Sequence, residues 1–497
     1  MEVDENLEDE DIADLTKKLD HFLSAFIFSS GSSFRLVENK YLREFIDLLS
    51  KVNFTYKPMT RQTLARKCLY TVHEKICEQK KKLLAGTKSV LLADGWKNSV
   101  ANKKYLVFGL SNKYLPMTFL MFRDVSLERE DGQSLTENFN AAIEYAKNVY
   151  DTEVYAIVTD NDSKIVCGGR EATNQEGQKS MTTTCFSHSA NLLMKSLVPE
   201  KFVKEMREIS KTFRDPKLQC FVKLLGGTKI KSLSDTRFGY IRDTIECLIK
   251  NIEFFRRAAD DDDLIEKISA EVLQNLFDPS FEKKMRDTYK LLTPICAFMN
   301  KCQNPRYTIA EAAQYWLELK LPTEECDDEE KANINIIFMQ RTSKALKDAM
   351  LAANLLHHKY QGSLLNDLQK QKAELFLDSC LNGKEKEELA KFRRNKDDFA
   401  ELYSNCGDAR EFWSWCSLTL PYLSKFAINL LSIPASTAQL EGIFSQWKFI
   451  HTDYKGNMHD DTSGYLIDIY HTLKFMDFED GHLLDLIKRC PRQHLEL

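Results

Sequence analysis

The chain has 497 residues, 43% of them hydrophobic and 29% charged: enough for two to four domains, or one domain with a large insertion, and the balance of a soluble globular protein. No apolar run is long enough for a membrane span, and the acidic opening "MEVDENLEDEDIADL" lacks a signal-peptide core, so membrane and secreted classes are not expected. A net charge of −5 excludes a protein that is basic throughout, and thirteen cysteines without a C-x-x-C fit reduced thiols better than a disulfide framework.

Residues 1–14 read as an acidic, disordered tail, and 15–87 as a helical, basic region. "YLREFIDLLSKV" and "RQTLARKCLYTVHEKICEQKKKLL" carry apolar residues at helical spacing, separated by the turn-like "NFTYKPMT". Between Lys51 and Lys88 stand ten Lys/Arg against two acids. Such a segment is either a solvated helix face or a nucleic-acid footprint, with Lys57, Arg61, Arg66 and Lys67 as candidate DNA contacts.

The texture changes at Lys88. "SVLLADGW", "KYLVFGLSN" and "LPMTFLMFRDV" are short β-branched and aromatic runs bounded by turn residues, and predict three strands. A helix is expected over 134–150, capped by Ser134 with Glu137 at the third position. The strand "EVYAIVTDND" comes next, then a short strand, "TTTCFSH", running into the helix "SANLLMKSLV". The order predicts an α/β mixed sheet over 88–200. Residues 201–430 read as an all-helical insertion, 431–480 as the return to the core, and 481–497 as a tail.

Asp94 and Asp160 each close an apolar strand, where rigid backbone meets solvent. One such Asp is ordinarily a turn or cap residue; two on one sheet are also a candidate metal-binding pair. Glu441, in "SIPASTAQLEGIFSQW", lies beside an apolar helical stripe of Leu440, Ile443, Phe444 and Trp447, with Ser436 as the expected cap. Its neighbours at three and four residues, Thr437, Ala438, Phe444 and Ser445, include no cation to pair with it. Three carboxylates without His or Cys suit Mg²⁺ or Mn²⁺, and two ions roughly 3.5–4 Å apart would serve in-line phosphoryl displacement. Cys185 and His188 have the spacing of half a zinc site, but no second half stands nearby and no structural zinc is expected.

"LLADGWKN", "AIVTDNDSKI", "CFSHSANLL", "DTRF" and the block from "WSWCSLTLPYLSKF" to "GYLIDIYHTLKF" resemble, in order, the hAT superfamily of DNA transposases. The resemblance spans about residues 20–478 and implies an RNase H-like core interrupted by a large helical insertion, with an N-terminal helical region. It implies a DDE triad of Asp94, Asp160 and Glu441 cutting double-stranded DNA at transposon ends with divalent metal. It places Cys185 and His188 in a C-x-x-H element and Arg237 and Phe238 in an Arg-aromatic pair, both grouped here with the DNA contacts. A C-terminal dimerisation region is implied too, with Leu440, Phe444, Leu466, Ile469 and Tyr470 as candidate contacts, in a nuclear protein also compatible with the cytoplasm.

Three features depart from the family. No paired cysteines followed by paired histidines occur in the first 90 residues, so no BED-type finger is expected in this chain. Gly442 follows the Glu where Arg is common, and "HTDYKGNMHDD" is less basic than its counterpart. These favour the alternative of a domesticated, catalytically silent DNA-binding or chromatin-associated dimer.

Overall fold

In the computed structural model, residues 9–30, 32–98, 102–115, 117–128, 131–173, 181–231, 239–394, 399, 406–450 and 460–478 are described. The chain divides into two units, Met1–Cys68 and Leu69–Leu497. In the smaller unit, α1 spans Asp9–Ser29 and α2 spans Lys40–Ser50. Asn39 caps α2 by accepting from the backbone N–H groups of Tyr41 and Leu42 at 3.0 and 3.2 Å. Helix α1 starts inside the stretch expected to be a disordered tail, while the expected tail at 481–497 lies outside the described residues.

The larger unit begins with α3, Leu69–Leu84, ahead of the boundary expected at Lys88. Its Leu84 belongs to a core shared with the sheet, which explains why the helix goes with the strands and not with the smaller unit. Five strands form one sheet: β1 Lys88–Asn98, β2 Lys103–Ser111, β3 Thr118–Asp124, β4 Glu153–Thr159 and β5 Met181–Thr184. Their order is β3-β2-β1-β4-β5, with β2 antiparallel to β1 and β3, and β4 parallel to both β1 and β5. This is the mixed sheet that the run of strands and helices predicts.

Strand alternation gives the sheet two distinct faces. Leu91, Ala93, Leu106, Phe108 and Ile157 pack with Phe139 and Ala142 of α4, Gly132–Tyr150. Helix α4 is capped by Asp131, whose carboxylate accepts from Ser134 N–H at 2.9 Å, so it starts before the expected Ser134. Helix α5, Ser163–Thr173, comes after β4. Val90, Leu92, Tyr105, Val107, Ala156 and Val158 face the other way, into a core continuous with α6, Phe186–Leu197, and the insertion. The insertion is helical in its described parts, from Glu200–Thr212 to Gly383–Arg394. After two further helices, Ala409–Cys416 and Pro421–Leu430, the chain reaches α7, Ala438–Ile450, and α8, Asp460–Phe478.

Helix α7 docks on the insertion-side face of the sheet. Trp447 stands 4.7 Å from Tyr105 and 4.6 Å from Phe122, ring to ring, and Phe444 stacks on Trp96 at 5.7 Å. Leu440 approaches the β2 backbone at Gly109, where an added Cβ would lie 3.0 Å from Leu440 Cδ2 and 3.2 Å from Thr118 O. Gly109→Val should therefore cost roughly 1–3 kcal/mol through overpacking. Urea unfolding measures this, and an unchanged midpoint would contradict the close approach of α7 to β2.

Candidate active site

Alternation places the two Asp together. Val90 and Leu92 in β1, and Ala156 and Val158 in β4, line the insertion-side face, so Asp94 and Asp160 continue the same parity. The parallel register pairs Ala93 with Thr159, and the next residues of the two strands are Asp94 and Asp160. Helix α6 contributes His188 from its first turn. One carboxylate oxygen from each Asp and one ring nitrogen of His188 all lie within 4.8 Å of one another.

Glu441 arrives on α7, whose start is fastened to the start of α6. Phe186 N–H donates to Ala435 O at 2.9 Å, Thr437 N–H to Cys185 Sγ at 3.4 Å, and Ser436 Oγ–H to Ser187 Oγ at 2.9 Å. Ser436 Oγ also accepts from Ala438 N–H at 3.0 Å, so Ser436 serves the start of α7, which begins one residue later than a cap at 436 implies. Cys185 N–H in turn donates to Thr159 O at 2.8 Å, beside Asp160. Cys185 is wholly buried and acts as a joint between β4, α6 and α7. The Cys185 side chain, expected among the DNA contacts, is enclosed by these three elements.

The electrostatics are those of a crowded, partly buried acidic site. Asp94 is 4% exposed, and burial raises its pKa well above the carboxylate range. His188 opposes that rise, while Asp160, Cys185 and Glu441 add to it. Asp160 is raised by burial against the pull of His188 and of the Asp162 N–H, which donates to it at 3.1 Å. Burial brings Glu441 up to about 7, with His188 opposing and Cys185 reinforcing. Burial alone would lower His188, but its Cys185 partner and the two Asp raise it to about 10. Burial would likewise raise the Cys185 thiol, yet the His188 charge and hydrogen bond bring it down to about 6. His188 and Cys185 thus shift in opposite directions, His188 up and Cys185 down, each favouring the charged form of the other beside the acids. Spacing alone did not place His188 between the two Asp.

The donors fit a hard divalent cation. Among the described residues, neither Asp94 nor Glu441 makes a side-chain hydrogen bond or ion pair, and carboxylate oxygens predominate. Elsewhere, a cavity of about 730 Å³ includes Lys88, Lys113, Lys147 and Lys425 in its lining, at the opposite ends of β1 and β4 from these acids.

The other candidate residues fall in different places. Lys57, Arg61, Arg66 and Lys67 are exposed on the smaller unit, and no salt bridge engages them among the described residues. Arg237 and Phe238 lie outside the described residues. Leu440 and Phe444, expected at a dimer face, are instead buried against the sheet, because the stripe that could have faced a partner docks α7 within the chain. On α8, Leu466 and Ile469 are half-buried and Tyr470 is 40% exposed. Asp460 is tied inward, accepting from Lys103 Nζ at 2.6 Å and Tyr105 Oη at 3.1 Å. Residues 451–459 of "HTDYKGNMHDD" lie outside the described residues.

Two stability measurements test this geometry. The folded pKa of Glu441, about 7, exceeds its ordinary 4.5, so the native state binds the proton more tightly and this contribution is lost as pH rises through that window. In metal-free protein, Glu441→Gln should raise stability at pH 8 by roughly 1–3 kcal/mol and do little at pH 4; a loss at pH 8 would contradict a desolvated carboxylate. Gly442 is exposed with nothing within 4 Å of an added Cβ, so Gly442→Ala should stabilise α7 by roughly 0.5–1 kcal/mol, read by thermal unfolding.

A search of curated proteins finds no match to the chain. Residues 389–471 match the family model of the hAT family C-terminal dimerisation region, a span that contains Glu441, all of α7 and most of α8. That part of the chain is therefore similar to the dimerisation region of hAT-family proteins.

Proposed function

We propose that this protein is a DNA-binding, dimeric hAT-type transposase whose Asp94, Asp160 and Glu441 form a DDE site for metal-dependent DNA strand cleavage and joining. The observation that carries the reading is the adjacency of Asp94 and Asp160 on one sheet face, with Glu441 brought to the same face by the helix after the insertion. The order β3-β2-β1-β4-β5, three antiparallel strands and then two parallel ones, supports an RNase H-like core.

Packing alone does not call for three carboxylates with raised proton affinities in one place. Asp94, Asp160 and Glu441 would hold Mg²⁺ or Mn²⁺, in two ions, which when bound activates an attacking oxygen and stabilises the leaving one. Partial burial strengthens the field of the carboxylates on whatever they hold. His188, within reach of both Asp, would stand beside any cation the carboxylates hold. Lys57, Arg61, Arg66 and Lys67 supply a phosphate-binding surface on the smaller unit. Tyr470 and its neighbours on α8 supply the dimer contact. The place of action is then the nucleus.

His188 lodged against the two Asp, together with Gly442, favours a second reading, a domesticated dimer that binds DNA without cutting it. Strand cleavage on terminal-repeat DNA with Mn²⁺ separates the two. Wild type should cut, and Asp160→Asn should lose activity by at least about a hundredfold; absence of cutting by wild type would leave only the second reading. Replacing Lys57, Arg61, Arg66 and Lys67 by Ala should flatten the salt dependence of DNA binding by roughly 0.9 per lost phosphate contact. Tyr470→Asp should weaken self-association in sedimentation analysis, and an unchanged dimer would place the interface elsewhere.

A further inference from the structure

A second cluster of ligating side chains lies where α3 meets α8. His73 and Cys77 stand one turn apart on α3, and Asp468 reaches them from α8. His73 Nε2 is 3.1 Å from Asp468 Oδ2 and 3.6 Å from Cys77 Sγ. One ligand atom from each of the three residues falls within a 4.8 Å set. Asp468 is almost wholly buried, His73 is 17% exposed, and Cys77 is half-buried, so the cluster is shielded but reachable from one side.

The arrangement around Asp468 divides its two oxygens. Oδ1 accepts from Lys80 Nζ, and the same ammonium donates to Phe119 O at 2.9 Å, anchoring the carboxylate to β3. Oδ2 is turned toward His73. Lys80 already balances the charge of Asp468, so charge balance alone does not account for an imidazole on the other oxygen with a thiol against that imidazole. A thiol is a weak hydrogen-bond donor, whereas its thiolate is a preferred ligand of zinc. Histidine and cysteine at i and i+4 on one helix, completed by a carboxylate from another, are a nitrogen–sulfur–oxygen set suited to four-coordinate zinc.

We propose that His73 Nε2, Cys77 Sγ and Asp468 Oδ2 form a binding site for one zinc-class divalent ion between α3 and α8. Water completes the shell, or the Tyr150 hydroxyl does, which stands 3.6 Å from Cys77 Sγ. Lys80 fixes the orientation of the carboxylate, as a carboxylate or carbonyl does for a ligating histidine. Binding displaces the thiol proton of Cys77 to solvent. The ion clamps α8, which lies largely within the matched dimerisation region, onto the helix that opens the larger unit. His73 and Asp468 are 395 residues apart, so no local spacing could reveal the site, and no structural zinc was expected from the sequence. The site is independent of the DDE reading.

The test uses full-length protein, reduced and stripped with chelator, then titrated with Co²⁺. Wild type should develop a thiolate-to-cobalt charge-transfer band with the intense visible bands of a four-coordinate site, and added Zn²⁺ should abolish both. Cys77→Ser should remove the thiolate band, and Asp468→Asn should weaken cobalt binding by at least about tenfold. Cys185→Ser and Asp160→Asn should retain the band, separating this site from the DDE carboxylates. In wild-type protein alone, Zn²⁺ should protect Cys77 from alkylation, read by peptide mass mapping, which keeps the test intact if a variant misfolds. A wild-type protein without the band, a band that survives Cys77→Ser, or equal alkylation with and without Zn²⁺ would overturn the proposal.

Discussion

The parallel pairing of β1 with β4 is the constraint on which the rest of the site depends. Its register brings the residues after Ala93 and Thr159 side by side, and alternation turns both toward the insertion-side face. Burial raises the proton affinity of both carboxylates, and the charge of Asp160 adds to the rise at Asp94. The hydrogen-bonded strands and the apolar residues beneath them hold what the acids themselves oppose. That tension is ordinary at functional sites, where local stability yields to chemistry.

The third carboxylate depends on a different kind of contact. Glu441 stands where it does because α7 is bonded to the start of α6 through Phe186–Ala435, Ser187–Ser436 and Cys185–Thr437. The insertion shares this junction: Ile309 N–H donates to Ile433 O at 3.0 Å, and Ala435 N–H to Tyr307 O at 2.9 Å. A long helical excursion therefore returns the chain to a site defined by backbone hydrogen bonds, with Phe444 and Trp447 closing the aromatic layer behind it. Cys185 and His188 link the two halves chemically as well, since the charge of His188 reaches Asp94, Asp160 and Glu441 alike.

The same logic reassigns the apolar residues near the C-terminus. An amphipathic stripe can serve a core or a partner, and burial decides which. Leu440 and Phe444 serve the core of the chain, while α8 leaves Tyr470 exposed. The inward face of α8 meets α3 through Asp468, Lys80 and His73, a polar seam beside the Tyr70–Tyr465 ring contact.

Much of this was determined by the sequence alone. Short continuous apolar runs marked β1 to β4, because a strand buried on both faces must be apolar along its length, and the strand-ending Asp94 and Asp160 were conspicuous where those runs stopped. The absence of a helical partner for Glu441 marked it as a carboxylate directed elsewhere. Caps were less legible: Asp131 lies outside the apolar pattern that defines α4, so its role shows only in its bond to Ser134 N–H. Only the tertiary structure decided the meetings of distant residues: His188 between two carboxylates, Cys185 under Ser436, and Asp468 against His73 across 395 residues. Local pattern encodes which face of an element is apolar, but contacts between elements depend on how those faces pack, and that is settled only when the whole core closes.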